Sequence, residues 1–341
     1  MIDVVCLGIL VADVIARPVD ELPHGAVSLM DEVSLHGGGC ALNTATGLGR
    51  LGLSVAVVGK VGDDTFGDFL LGLLAERDLE TGGVLRDPSA PTSATVVLVD
   101  RQGERSFLHL PGANGTLSAD ELSPASVFAG RSLHVAGALV MPGLDGDPTA
   151  GLLIEARRRG IHTSLDTVYD ATGRWERVEP CLPHLDLLTM SLPEAHGITT
   201  ERDPARAAAW LRSRGVREVA LTLGSGGCYV AGAEFEGEVP AIPVCAVDGT
   251  GAGDAFAAGI LFGRLAGWPL VDAARLANAA GALATTAVGA TEGLRELDAT
   301  LAFAGLGDGG VSRRALGRKA SASEVCRLCG IPRCGQEAAG A

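Results

Sequence analysis

Short apolar runs, each followed by a longer amphipathic or alanine-rich stretch, recur along most of the chain. Runs at residues 4–9, 56–58, 132–136, 162–165, 185–189 and 219–223 predict buried strands; stretches at 41–51, 66–77, 150–159 and 204–214 predict helices. This alternation predicts a doubly wound, mostly parallel sheet with helices on both faces. Two segments, at about 14–36 and 91–110, break the pattern with extended stretches and turns. Residues 94–99 and 105–108 read as a hairpin around Asp100-Arg101-Gln102-Gly103. A small β element projecting from such a sheet predicts a lid over the strand ends. The periodicity fades after residue 305, so a domain over 1–305 is expected, followed by a poorly ordered tail over 306–341.

Composition narrows this picture. A chain of 341 residues with 47% hydrophobic and 20% charged residues is globular and has ample core. Its net charge of −14 argues against nucleic-acid or anionic-membrane partners. No apolar run approaches a membrane span, and the first residues read as a buried strand and not as a signal peptide. The five cysteines of the main body show no disulfide-like spacing and are expected as free thiols of a cytoplasmic protein. The tail carries Cys326, Cys329 and Cys334, too few ligands for a structural zinc site.

The strongest candidate for chemistry is Asp248-Gly249-Thr250-Gly251-Ala252-Gly253-Asp254-Ala255-Phe256. Residues 242–247 are expected to deliver the chain to it as a strand, and a helix follows. Gly251, Ala252 and Gly253 can aim successive backbone N–H groups at one anion. Asp254, in the first helical turn, can take a proton from an attacking hydroxyl, and the helix dipole favours its ionised form. Together these make up the minimum for moving a phosphoryl group from a nucleotide to an alcohol. No GxxxxGK[ST] string exists, and neither lysine, Lys60 or Lys319, is placed to serve a P-loop. Charge neutralisation of a triphosphate therefore falls to Mg²⁺, arginine and backbone amides.

A second glycine run, His36-Gly37-Gly38-Gly39-Cys40-Ala41-Leu42-Asn43-Thr44-Ala45, also opens a helix. Gly38 and Gly39 allow close backbone approach to a polyhydroxylated ligand, and Asn43 presents a donor and an acceptor one turn in. Asp13 follows the first strand, where folds of this kind bind ligands. Asp63 and Asp64 are expected to cap the helix after them. Arg101 and Arg105 read as solvated hairpin charges or, alternatively, as a clamp on a phosphorylated substrate. His109 is open to a surface role or a substrate contact.

Across roughly residues 1–300 the chain resembles the ribokinase-like (PfkB) carbohydrate kinases. Residues 37–45 match that family's first signature and 248–261 its second. Between and beyond them, in family order, come Gly59-Lys60-Val61-Gly62-Asp63-Asp64-Thr65-Phe66-Gly67, the lid hairpin, Gly112-Ala113-Asn114, Thr222-Leu223-Gly224 with Gly226-Gly227, and Asn278 through Gly289-Ala290-Thr291. The resemblance implies an ATP-dependent sugar kinase with Asp254 as general base and Gly251, Ala252 and Gly253 as anion hole. It implies Asp13, Gly38, Gly39, Asn43 and Asn114 at the sugar, and Ser191, Thr222, Gly224, Gly227 and Asn278 at the nucleotide. Glu194 would act on Mg²⁺ through water. It also implies a monovalent cation (K⁺) near the second signature, as in several members, and a homodimer paired through the lid.

The chain departs from the family pattern in places. Ser191-Leu192-Pro193-Glu194 stands where the family has Asn-x-x-Glu, and Gly249 is unusual at its position. Cys40 and Leu42 replace residues typical of ribokinases, and Gly137 stands where ribokinases offer a Glu; these changes argue against ribose. Two rival functions remain open. A nucleoside kinase of the same fold would want lid aromatics, of which Phe107 is the one present. A non-catalytic carbohydrate sensor would bind sugar without turnover, which the intact Asp254 and glycine run disfavour.

Overall fold

The structure, a computed structural model, describes residues 1–306 apart from Ala26, Gly103, Asp170 and Ala171. The tail expected beyond Leu306, with its three cysteines, lies outside the described residues. Strands are β1 (Ile2–Gly8), β2 (Val11–Arg17), β3 (Glu32–Gly38), β4 (Val55–Gly62), β5 (Glu80–Asp87), β6 (Ala94–Val99), β7 (Arg105–Leu110), β8 (Gly130–Ala138), β9 (His162–Thr167), β10 (Leu187–Ser191), β11 (Glu218–Thr222), β12 (Gly227–Ala231) and β13 (Glu236–Pro240). Helices are α1 (Cys40–Arg50), α2 (Thr65–Glu76), α3 (Pro124–Val127), α4 (Asp147–Arg158), α5 (Leu192–Thr199), α6 (Pro204–Ser213), α7 (Ala252–Leu265), α8 (Leu270–Ala284) and α9 (Leu297–Ala304).

Nine strands form the main sheet in the order β13-β12-β11-β10-β9-β8-β1-β4-β5. All pairings from β5 to β11 are parallel; β12 and β13 close one edge antiparallel. The doubly wound, mostly parallel sheet expected from the alternation is what forms. Its strands are apolar on both faces because helices cover both. In β1, Val5 and Leu7 join Leu133, Val135, Leu165 and Leu188 on one face, under α4 and α6. Val4 and Cys6, one residue out of phase, join Val55, Val57 and Leu42 on the other, under α1, α7 and α8. Each fully buried Leu or Val in these layers contributes about 1.5–3 kcal/mol. Helices α7 and α8 meet largely through alanines, which lets their backbones approach closely. The chain order reverses about β1, which pairs β4 on one side and β8 on the other, and ligands of such sheets bind beyond the carboxyl ends of the strands.

The two irregular segments build a second sheet in the order β3-β2-β6-β7. Its halves are spliced in at two points, β2–β3 between β1 and α1, and β6–β7 between β5 and Gly112. Val33 and Leu35 of β3 and Phe107, Leu108 and Leu110 of β7 are exposed.

Several local expectations need correction. Residues 242–247 are irregular and not a strand, because Pro240 and Pro243 supply no N–H to a ladder. The chain is held there by Val247 N and Asp248 N donating to Thr285 O at 2.7 and 3.1 Å. Asp64 caps α2, accepting from Gly67 N at 2.9 Å, whereas Asp63 pairs with Arg86 at 3.3 Å. Cys6, Cys40, Cys181 and Cys228 are free thiols, but Cys245, half-buried on the irregular run, is disulfide-bonded.

Candidate active site

The second signature turns into α7 at Gly251, whose φ of 75° lies in the left-handed region. A Cβ there would also run into the Ala290 carbonyl, so both backbone and packing demand glycine. No side chain caps this helix. Ala252 N reaches Gly249 O at 3.3 Å, while Gly251 and Gly253 line a cleft of about 180 Å³. A Cβ on Gly253 would meet nothing within 4 Å, so its backbone faces open space. Uncapped amides beside a cleft are the condition for holding an anion.

Asp254 is the third residue of α7 and lines the same cleft. Burial pushes its carboxyl above the usual carboxylate range, against the Asn43 amide and Cys40 thiol, which favour the ion. Burial thus outweighs the helix N-terminus that was expected to keep this group readily ionised. A base with a raised pKa sits closer to neutral pH, which suits proton abstraction.

The first glycine run reaches the same point from the other side. Chain from β3 enters α1 through Gly38 and Gly39, and Ala41 N donates to Ile9 O at 3.2 Å. Gly38 lies flat against Asp13, where a Cβ would collide with the carboxylate. Asp13 is pushed up to about 6, first by burial and then, against a hydrogen bond from Thr95, by the charges of Asp248 and Asp254. One turn into α1, Asn43 Nδ2 donates to Asp254 Oδ2 at 2.8 Å. Asn43 Oδ1 is buried and has no partner among the described residues.

Sequence reasoning missed Asp166, at the end of β9. Its carboxylate, the Asp254 carboxylate and Cys40 Sγ lie within 4.8 Å of one another. Burial and then the charges of Asp254 and Glu194 drive its pKa well up, against a hydrogen bond from Thr189 Oγ1 at 3.0 Å. The signal that singled out Asp13, a carboxylate at the carboxyl end of a parallel strand, fits Asp166 near the end of β9, whereas Asp13 itself lies within β2 of the lid sheet, paired with His36 of β3. Ser191 and Glu194 form a capping box on α5: Ser191 N donates to Glu194 Oε2 at 2.7 Å, and Glu194 N to Ser191 Oγ at 3.3 Å. Thr167 Oγ1 also donates to Glu194 Oε2, at 3.1 Å. Burial nonetheless leaves Glu194 above its ordinary value.

The residues implied at the nucleotide are placed unevenly. Thr222, closing β11, and Ser191 line the cleft. Gly224 opens a short turn and Gly227 starts β12. Asn278 spends its amide N–H groups on Val239 O and Pro240 O at 3.0 and 3.1 Å. Asn114 is likewise committed: its Oδ1 accepts from Leu10 N at 3.2 Å, and its Nδ2 donates to Leu10 O at 2.8 Å. Lys60 is buried between Asp87 and Glu121, at 2.9 and 2.6 Å. A larger open hollow of about 450 Å³ lies at the amino ends of β9 and β11, lined by His162, Asp186, Arg217 and Glu218 among others. None of the motif residues reaches it.

Arg105 is not a solvated hairpin charge. From the start of β7 its Nη1 pairs with Asp248 Oδ1 at 2.6 Å and donates to Thr250 Oγ1 at 2.9 Å. Arg101 is exposed and pairs with Asp20. His109 is exposed and shares a hydrogen bond with Thr95.

What these groups can do together, on a doubly wound sheet, is transfer a phosphoryl group to an alcohol. The chain belongs to the pfkB family of carbohydrate kinases, whose sequence model matches residues 1–297, and is a phosphotransferase. It is 34% identical over 291 residues to a fructokinase of Klebsiella pneumoniae, covering 81% of this chain and 93% of that one. A fructokinase of Xylella fastidiosa solved with bound ATP superposes with a TM-score of 0.73 at 26% identity, covering 88% and 97% of the two chains. A ribokinase of Arabidopsis thaliana solved with ribose and ATP gives a TM-score of 0.79 at 23% identity, covering 89% and 98%.

Proposed function

We propose that this sugar kinase transfers the γ-phosphoryl group of ATP to a hydroxyl of a free sugar, with Asp254 as general base and fructose as the leading substrate. The observation that carries this reading is the Asn43–Asp254 hydrogen bond. It ties the loop suited to sugar hydroxyls to the group suited to deprotonating one. A hydroxyl donating to Asn43 Oδ1 or facing Asp254 would lose its proton to the Asp254 carboxylate. Its oxygen forms a bond to the γ-phosphorus as the bond from that phosphorus to the β,γ-bridging oxygen breaks, and ADP leaves. The amides of Gly251–Gly253 are aimed to hold the charge on the transferred group. Fructose is favoured over ribose by the fructokinases at 34% and 26% identity, against 23% for the ribokinase, and by Gly137, which has no side chain to offer a sugar.

The cleft carries Asp166, Glu194 and Asp254 and no lysine or arginine. Oxygen donors of this kind suit Mg²⁺, with Asp166 and Glu194 as the residues to hold it, directly or through water. Mg²⁺ bound there would neutralise phosphate charge that the side chains of this cleft cannot. Ser191, Thr222, Gly224 and Gly227 are proposed beside the nucleotide, with Asn278 and Asn114 bracing the backbone around the two ligands. Asp13, Gly38 and Gly39 complete the sugar wall. A monovalent cation such as K⁺ near the second signature would meet Asp248, which already holds Arg105, so its effect on turnover is expected to be small.

The exposed apolar side chains of β3 and β7 support a homodimer formed through the lid. No helix among the described residues is long and apolar enough to cross a membrane, and a cytoplasmic site of action is part of this reading. The decisive experiment is ADP release from Mg-ATP against fructose, ribose, 2-keto-3-deoxygluconate, phosphosugars and nucleosides. Turnover dependent on a free sugar is the expected result. Turnover with nucleosides alone, or sugar binding by calorimetry with no ADP formed, would replace this reading with one of its two rivals.

A further inference from the structure

The loop that carries the anion hole is not held by its own helix. It is held at Asp248, which is only 4% exposed in its side chain, while its partner Arg105 is 24% exposed. Asp248 Oδ1 accepts from Thr250 N at 2.7 Å, and Oδ2 accepts from Gly289 N at 2.9 Å. The loop is also tied through Val247 N and Asp248 N to Thr285 O. Three segments therefore meet at one carboxylate: the anion-hole loop, the chain at 285–290, and the lid strand β7. Arg105 is the lid's contribution. It also reaches Thr250 Oγ1, one residue before Gly251.

A second observation makes the pairing directional. Gly251 is packed against Ala290, but a Cβ on Gly249 would meet nothing within 4 Å and no side chain caps α7, so packing leaves the Gly249 end of the turn unrestrained. The Asp248 carboxylate supplies that restraint, and it is a buried charge that Arg105 balances. Removing the partner of a buried charge is costly and favours rearrangement of the charge's surroundings. Asp13 adds like charge beside it.

We propose that Arg105 is a positioning residue for catalysis: its ion pair with Asp248 latches the lid to the anion-hole loop, so the amides of Gly251–Gly253 are set for the phosphoryl group only when the lid strand is in place. Arg105 Nη1 is spent on Asp248 and Thr250, and Arg105 is not among the residues lining the cleft at Asp254. Its loss should slow the chemical step more than it weakens sugar binding: Asp13 of β2 and Gly38 of β3 share the lid sheet with Arg105 but are paired strand to strand and abut each other, and Asn43 is held from α1. The proposal rests on the reading of Gly251–Gly253 as the anion hole.

The test is steady-state kinetics of the full chain with Mg-ATP and fructose, or whichever panel sugar is turned over, for Arg105→Met, Arg105→Lys, Asp248→Asn and the double variant Arg105→Met/Asp248→Asn. Arg105→Met should lower kcat roughly 10²-fold, the scale of a misplaced catalytic group, with sugar KM within roughly threefold of the wild type. Arg105→Lys should recover part of the loss, and guanidinium ion at concentrations below denaturation should partly rescue Arg105→Met. The double variant should be little worse than the poorer single variant, since the two residues act as a unit. An unchanged kcat, a loss confined to KM, or single losses that multiply would overturn the latch. Asp254→Asn measured alongside separates the failures. If it is inactive while Arg105→Met is normal, only the latch is wrong; if it too turns over normally, the reading of the site is wrong.

Discussion

The two glycine runs enter the same cleft and end on the same hydrogen bond, yet they are held in different ways. The Gly38–Asn43 run is stapled by main chain, with Ile9 O on Ala41 N, and by the close fit of Gly38 against Asp13. The Gly249–Asp254 run is uncapped; Gly251 is packed against Ala290, and its other anchor is a carboxylate balanced by an arginine from the lid. On the proposed reading, the sugar side is braced within the lid's own sheet, where Asp13 of β2 abuts Gly38 of β3, and by α1, while the phosphate side depends on one ion pair from the lid's edge strand. An anion hole exposed to water would favour hydrolysis over transfer.

The largest effect should come from Asp254→Asn, where the two runs meet. The fold and sugar binding should persist while kcat falls ~10² or more, read by calorimetry and ADP release. Near-normal turnover would remove the reason to treat the two loops as one site. A sharper contrast comes from matched glycine substitutions. Gly251→Ala forces a side chain into the left-handed region and against Ala290, so it should lower kcat by roughly tenfold or more with a smaller change in sugar KM. Gly38→Ala drives a methyl group into the Asp13 carboxylate and should raise sugar KM by roughly tenfold with kcat less affected. If both variants change the same parameter, the division between wall and anion hole fails.

The smallest effect is a shift in pH. Asn43 donates to the Asp254 carboxylate and so favours its ionised form. Asn43→Ala removes that donor, raises the pKa further, and leaves less of the active base at low pH. The acid limb of the kcat profile should therefore move to higher pH. A limb that stays in place would assign the profile to another group, such as Asp166, whose carboxylate lies within 4.8 Å of that of Asp254.

Much of the fold is legible in the sequence, because strand and helix periodicities are local signals and the sheet buries both faces of its strands. The two glycine runs are legible for the same reason: each motif is contiguous. Asp166 is harder to find because its role comes from sheet order, which sets β9 beside β10 and brings its last carboxylate toward α7. Arg105 is illegible as a latch, because a charged residue in a hairpin looks solvated until the lid's docking against Asp248 is known. Asn114 and Asn278 show the opposite difficulty. Both are polar residues in recognisable motifs, yet the structure commits their amides largely to backbone, and nothing local distinguishes bracing from binding. Ser191 and Glu194 show a third case, where a capping box and a metal-side motif share the same letters.

Asn114 gives the lid its mechanics. Chain passes into the lid just after Leu10 and leaves it just before Gly112, and a single amide clasps Leu10 by both its N–H and its carbonyl. Ala12 N to Ser93 O and Ala113 N to Pro91 O cross-link the two splices at the same level. A flap tethered at one end could twist and slide. This one is pinned across its base by Asn114 and, under the latch proposed above, would be caught at its far edge by Arg105, which would leave it one way to swing.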